Sequence, residues 1–352
     1  MKLEEILNGK WKTLEEPVLL PSLEDNWENF ASMSPEVFSN KEYNFPSALK
    51  FGMFYIGVSL KGANWGIGYA ESDNLINWKK HEGNPLILPH DKEFNCQLDA
   101  PSLLMGDDGK YHLICEEKKI PNNFQTKLRN SLNPNFKTLL RRLRNLMHLN
   151  NPTVVNHAMG RYFVQFTSAD PFSWDIASKR IIFRHDSGGT FDSKGILSPQ
   201  IYQFKNQYYL FYGGTDGHKA FTGLATADSI DGVWRKVLPD PILSPGEKGD
   251  WDEMHALITN IIKTTDAYCA FYEGEDCHKK YRIGIAYSYD LEKWTKWEGN
   301  PIIDVGEAGS FNELMVCGPR AFFDGEQLNL FFNTHDKNMS GCCGLAVFHG
   351  DN

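Results

Sequence analysis

WGIGYAESDNLINWKKHEGNPLI (residues 65–87), FTGLATADSIDGVWRKVLPDPIL (221–243) and YRIGIAYSYDLEKWTKWEGNPII (281–303) are three copies of one phrase. Each opens as an alternating strand, passes a Ser/Asp/Asn turn and places a Trp where a second strand begins. Each then closes on a Gly/Pro turn. One such unit is too small to bury its own apolar face. A repeat of this length therefore requires sheets that stack or fan around an axis.

Working outward, two more strand patterns precede each copy. Gln200–Phe204 and Gln207–Tyr212 lead into the second, and Ala256–Lys263 and Ala267–Tyr272 lead into the third. The unit is a four-stranded meander, the form of a propeller blade. An aromatic–polar pair stands before each unit: Trp27-Glu28, Phe94-Asn95, Phe191-Asp192, Trp251-Asp252 and Phe311-Asn312. A proline or small residue follows each pair: Pro35, Pro101, Pro199, Ala256 and Pro319. The expectation is an all-β, five-bladed β-propeller of four-stranded antiparallel blades, with residues 1–352 as a single domain. A degraded copy at 161–182 completes the second blade. The last unit is one strand short, and WKTLEEPVLLP (11–21) matches what is missing. Pairing that N-terminal strand with the last blade would close the ring and cover its edges. NNPTVV (150–155) offers a competing blade opening, so six blades is the alternative. The repeated Trp78, Trp174, Trp234 and Trp294 are expected to pack blade against blade rather than stack on sugar.

Composition limits the classes further. The 352 residues are 41% hydrophobic and 13% aromatic, with a net charge of −9. No apolar run approaches the roughly 18 residues of a membrane span. MKLEEILNGKW lacks the apolar core of a secretory signal. Seven cysteines without regular spacing argue against a disulfide framework, so a cytoplasmic location is expected. No zinc spacing and no glycine-rich phosphate loop occur, and no cofactor is expected; the acidic rim could hold a lone cation, for which the sequence gives no ligand set. Charge is uneven. Residues 118–169 hold nine Lys/Arg and no Asp/Glu, leaving −18 for the rest (−9 minus 9). Residues 118–160 thus read as a basic, partly helical insertion in blade 2, with Phe136, Leu139, Leu140, Leu143 and Met147 on one helical face. It is expected either to pack on the propeller or to meet an anionic surface or ligand. The acidic balance and the lack of a known module exclude nucleic acid.

In a four-stranded meander the first strand begins and the second ends at the same end of the blade. The blade openings supply Glu36, Asp99, Gln200, Glu253, His255 and Arg320, and the second-strand ends supply Glu116, Asp216, Glu273 and His335. IGYAESDNLINWKKHEGNP, LDAPSLLMGDDGKYHLI, YYLFYGG and VCGPRAFFDGEQLNLFF together resemble the five-bladed propeller glycosidases of the glycoside hydrolase family 43, 32 and 130 type. That resemblance implies sugar chemistry performed by carboxylates from the blade openings. LDAPS, with Asp99, matches the Asp-before-Pro opening of those enzymes. MSPEVF offers only Glu36, and LSPQIY has no acid beside Pro199. Glycoside cleavage needs one neutral and one ionised carboxyl flanking the bond. Asp99 is the candidate base or pKa-setting neighbour, and Glu253 and Glu273 are candidates for the acid. Glu36, Glu116, Gln200, Asp216, His255, Arg320 and His335 are candidate substrate contacts. His255 and Arg320, read as equivalent openings, would suit phosphate, which makes a glycoside phosphorylase the second reading. A catalytically silent sugar-binding propeller is the third.

Overall fold

The computed structural model describes residues 1–24, 26–59, 64–89, 93–121, 153–188, 190–204, 206–335 and 340–350. Within them the regular structure is mostly strand, with short helices α1 (Leu3–Asn8) and α2 (Thr153–Ala158) and a 3-10 turn at Ile176–Ser178. After β1 (Lys10–Thr13), the first group is β2 (Ala31–Ser39), β3 (Phe51–Val58), β4 (Trp65–Ser72) and β5 (Lys79–Lys80). The second is β6 (Phe94–Met105), β7 (Tyr111–Pro121), β8 (Arg161–Ser168) and β9 (Arg180–Arg184). The third is β10 (Gly195–Phe204), β11 (Gln207–Thr215), β12 (Ala220–Ala227) and β13 (Arg235–Lys236). The fourth is β14 (His255–Lys263), β15 (Tyr268–Glu275), β16 (Tyr281–Ser288) and β17 (Thr295–Lys296). β18 (Val316–Phe323), β19 (Leu328–His335) and β20 (Gly341–His349) form the last, and β1 pairs antiparallel with β20. Neighbours within each group are antiparallel, and the strands fall into one 12-stranded and one 8-stranded sheet.

Each first strand breaks register at the same place. The shifts lie between Met33 and Glu36, Asp99 and Ser102, Leu197 and Gln200, Ile258 and Asn260, and Cys317 and Arg320. In four of the five, a proline cannot donate to the ladder and the residue before it turns to positive φ: Ser34, Ala100, Ser198 and Gly318. Ser34, Ala100 and Ser198 carry a Cβ in that region, a strain of about 1–3 kcal/mol each that the surrounding structure must sustain. The fourth group corrects the sequence alignment. Its break places Thr259, not Ala256, where the other groups have proline.

Beyond the breaks, the first strands grip one another in order. Leu103 N donates to Glu36 Oε1 (3.0 Å), Ile201 N to Ser102 Oγ (3.1 Å), Ile261 N to Tyr202 OH (2.8 Å) and Ala321 N to Asn260 Oδ1 (3.0 Å). Arg320 Nε then lies 3.3 Å from Glu36 Oε2, joining the last group to the first.

The repeated residues hold the scaffold. Trp78 meets Phe331, Trp174 meets Phe54 and Trp294 meets Phe211, each edge-on against a second strand of the preceding group. The acids of the aromatic–polar pairs are buried anchors. Asp192 accepts from Lys236 Nζ (2.8 Å) and Tyr212 OH (3.1 Å), and Asp252 from Lys296 Nζ (2.6 Å) and Tyr272 OH (3.1 Å). Glu28 accepts from Lys80 Nζ (2.8 Å).

Thr153–Val155, part of the alternative blade opening NNPTVV, lie in α2 and not in a strand. The amphipathic helix expected around 136–147, and most of the basic insertion, fall outside the described residues. No helix among the described residues is long and apolar enough to cross a membrane.

Candidate functional site

The register of β6 against β7 pairs Asp99 with Glu116, and that of β14 against β15 pairs His255 with Glu275. First-strand starts and second-strand ends therefore do share an end of each group. An apolar cluster joins those ends: Val154 and Ala158 of α2, Leu197 of β10, Leu257 of β14 and Cys317 of β18 pack together. Two buried charged clusters flank it.

The first is built on Asp99 and Glu116. Asp99 Oδ1 accepts from Ser34 Oγ at 2.7 Å and from Ala100 N at 2.7 Å. Glu116 Oε2 accepts from Ser198 N at 2.6 Å. The Ser34 hydroxyl and the Ser198 amide, at two of the positive-φ positions, thus each hold a carboxylate. His157, on α2, places Nε2 at 2.8 Å from Glu116 Oε1 and 3.5 Å from Asp99 Oδ2, and stacks on Trp65. Arg161 lies 3.1 Å from Glu116 Oε1, donates to the His157 carbonyl (2.8 Å) and approaches His157 Nδ1 at 3.3 Å. Burial alone would raise the Asp99 carboxyl. The His157 hydrogen bond and charge, Arg161 and Ser34 outweigh it and hold the group below its ordinary value. Burial and Arg161 push the His157 imidazole down, but the two carboxylates prevail and raise it.

The second cluster is Glu273, His255 and Glu275. Glu273 Oε2 accepts from Gly318 N at 2.6 Å, and Oε1 stands 3.7 Å from His255 Nε2. His255 Nδ1 faces Glu275 Oε2 at 3.2 Å. Burial is the dominant influence on Glu273 and raises its carboxyl, only partly offset by His255 and Gly318. The buried Cys317 thiol feels the charges of Glu273, Asp99 and Glu275 together, so both clusters border one region.

The other sequence candidates are placed differently. Glu253 accepts from Gly249 N (2.8 Å) and Cys277 N (3.0 Å). Hydrogen bonds from the Cys277 side chain and from those amides pull it down to about 2. Glu313 repeats the arrangement with Gly309 N (2.6 Å), which marks both as staples of the G-E-x-G loops. Asp216 ties a turn by accepting from His218 N and Lys219 N. Glu36, Gln200 and Arg320 lie past the register breaks, one inward position beyond Asp99. His255 and Arg320 are therefore not equivalent openings. The first sits between two glutamates and the second against Glu36. His335 ends β19, opposite Gly341. His157 and Arg161 were missed by sequence reasoning. Arg161 sits in the degraded repeat, and no strand pattern marks the short helix that carries His157.

Asp99, Glu116 and His157 each put one ligand-type atom within 4.8 Å of the others, a spacing that could hold a cation. If Arg161 donates to His157 Nδ1, the neutral ring carries its proton on Nε2, the atom such an ion would need.

A solved glycoside hydrolase superposes with a TM-score of 0.63 at 14% identity, covering 95% of this chain and 92% of its own. A thermostable family-43 glycoside hydrolase gives 0.56 at 15% identity, with 92% of each chain covered. An N-acetylgalactosamine deacetylase from F. plautii, in complex with blood group B trisaccharide, gives 0.62 at 10% identity over 96% of this chain and 95% of its own. The fold is that of the propeller-type glycoside hydrolases. No family model matches the chain. Two uncharacterized proteins of Mycobacterium tuberculosis, MT1551 of strain CDC 1551 / Oshkosh and Rv1502 of strain ATCC 25618 / H37Rv, are each 22% identical over 134 residues. That match spans 36% of this chain and 44% of each relative's own length.

Proposed function

We propose that residues 1–352 form one five-bladed ring, closed by β1 on β20, and that the chain is a carbohydrate-active enzyme hydrolysing a glycosidic bond. The cyclic order of first-strand contacts supports the blade count. The reaction is supported chiefly by one observation: two buried carboxyls bordering the same thiol are driven in opposite directions, Asp99 towards the ionised form and Glu273 towards the protonated form. Groups with pKa values pushed apart are what acid and base assignments require.

In this reading Glu273 donates its proton to the leaving glycosidic oxygen. Asp99, ionised, faces the sugar as base or as the charge that steadies the developing oxocarbenium ion. His157, Arg161 and Ser34 keep Asp99 ionised, Glu116 holds His157 in place, and His255 with Glu275 orients Glu273. Trp65, under His157, offers an aromatic wall beside the cluster. Glu253, ionised and bound to its own loop, is set aside as the acid. Phosphorolysis has less support, because His255 sits between two glutamates and Arg320 lines a cavity whose lining does not include His255, so the pair does not converge on one phosphate.

The test is turnover of a panel of aryl-glycosides and oligosaccharides, with and without phosphate, by wild type, Asp99→Asn and Glu273→Gln. Phosphate-independent cleavage that both variants lose agrees with the proposal. Phosphate-dependent cleavage, or undiminished activity in either folded variant, contradicts it. Sugar binding by wild type without turnover favours the silent-propeller reading.

A further inference from the structure

We infer that the cavity on the axis, one inward position beyond Asp99, is an anion-binding site centred on Arg320. The cavity measures about 360 Å³, and its polar lining includes Glu36, Tyr43, Ser102, Tyr202, Asn260 and Arg320. Its chemistry follows from the hydrogen bonds that join the first strands. Ser102 Oγ, Tyr202 OH and Asn260 Oδ1 each accept a backbone N–H from the next strand. Each of those bonds occupies one acceptor lone pair. Each side chain also carries donor hydrogen: two hydroxyls and an amide NH2, the last of which also hydrogen-bonds with Tyr202. The lining thus offers protons to an acceptor.

Arg320 makes that acceptor an anion. The residue is 6% exposed, and its Nε and Nη1 have no hydrogen-bond partner among the described residues. A buried guanidinium without its hydrogen bonds is costly, and an oxyanion or halide would supply them with charge assistance. Glu36 is the one carboxyl in the lining. It stands 3.3 Å from Nε, accepts from Leu103 N through its other oxygen, and is pushed by burial towards its neutral form. It therefore leaves Nη1 available. The fifth position is where this matters. Glutamate, serine and asparagine at equivalent positions in three other groups accept a backbone N–H from the next strand, and arginine has no lone pair with which to do so.

The site takes a small anionic group, either a free ion or a carboxylate carried on a sugar, and it does not depend on the hydrolase reading. Two measurements test it. Wild-type crystals soaked in bromide should show an anomalous peak against the Arg320 guanidinium. Peaks on the outer surface with none at Arg320 would overturn the inference. Melting temperature should rise saturably when gluconate is replaced by bromide or phosphate at constant ionic strength, or when galacturonate is added. Response to the inorganic ions assigns a free ion, and response to galacturonate alone assigns a sugar acid. Arg320→Met should weaken the apparent affinity about ten- to a hundredfold, the worth of a hydrogen bond to a charged group. An unchanged saturable rise in that variant would also overturn the inference. The bromide experiment stands even if the variant does not fold.

Discussion

Replacing Arg161 with Met should damage stability and proton chemistry together. The guanidinium is 2% exposed and stands 3.1 Å from Glu116, which is 1% exposed. At an effective dielectric of about 20, two unit charges at that distance attract by about 5 kcal/mol. The pair also carries a desolvation cost, so its net worth is smaller. Methionine, however, removes one charge and leaves the other buried, a situation that typically costs about 3–5 kcal/mol. The donation to the His157 carbonyl is lost as well, and with it the anchor of α2. We expect an unfolding free energy lower by about 3–5 kcal/mol, read from the denaturant midpoint with the slope unchanged. Arg161→Lys should lose less, because the charge returns without the planar fork. The same change removes one of the groups that hold Asp99 down, so the acid limb of the pH–rate profile should move to higher pH. A Met variant within about 0.5 kcal/mol of wild type, the range of an ordinary surface substitution, would refute the assignment of Arg161 as the counter-charge of the cluster. So would an unmoved acid limb.

Ser34→Ala removes a hydrogen bond to Asp99 but leaves the backbone turn, so the acid limb should rise modestly while the fold persists; circular dichroism and a pH–rate profile check both parts. Glu253→Gln should keep most of its activity, since its carboxylate staples a loop, and a loss matching that of Glu273→Gln would restore it as the acid. Because the folded state raises the Glu273 carboxyl, wild-type stability should fall as pH rises from about 4.5 towards the folded-state value; Glu273→Gln should lack that component in pH-dependent unfolding. Chelation by EDTA should leave turnover unchanged, and a loss restored by a divalent ion would instead place a cation among Asp99, Glu116 and His157.

Much of the scaffold is readable in the repeated phrases because repetition reports packing. The Trp that recurs in each copy packs on the preceding group, and the acid that follows the aromatic in three of the five pairs anchors a lysine from a short fourth strand. Those roles recur, so their residues recur. The site is less legible for the opposite reason. Asp99 stands out through the LDAPS opening, but His157 and Arg161 occur once, in a helix and a degraded strand without periodic signal. Glu253 and Glu273 looked alike in sequence, both acids near the ends of fourth-group strands. What separates them is three-dimensional: one meets backbone amides in its own loop and the other is buried beside a histidine. The break at Ile258–Asn260 also escaped the sequence reading, because Thr259 lacks the proline that marks the other four.

Hydrolysis as proposed requires Glu273 protonated where Asp99 is ionised. Infrared titration of the protonated-carboxyl stretch, in wild type, Glu273→Gln and Asp99→Asn, measures that difference directly. The band persisting above the ordinary glutamate range should lose its Glu273 component in Glu273→Gln and keep it in Asp99→Asn, while the raised Glu36 carboxyl contributes equally in all three. A band absent from wild type above pH ~4.5, or one that Asp99→Asn removes and Glu273→Gln keeps, would contradict the assignment of acid and base.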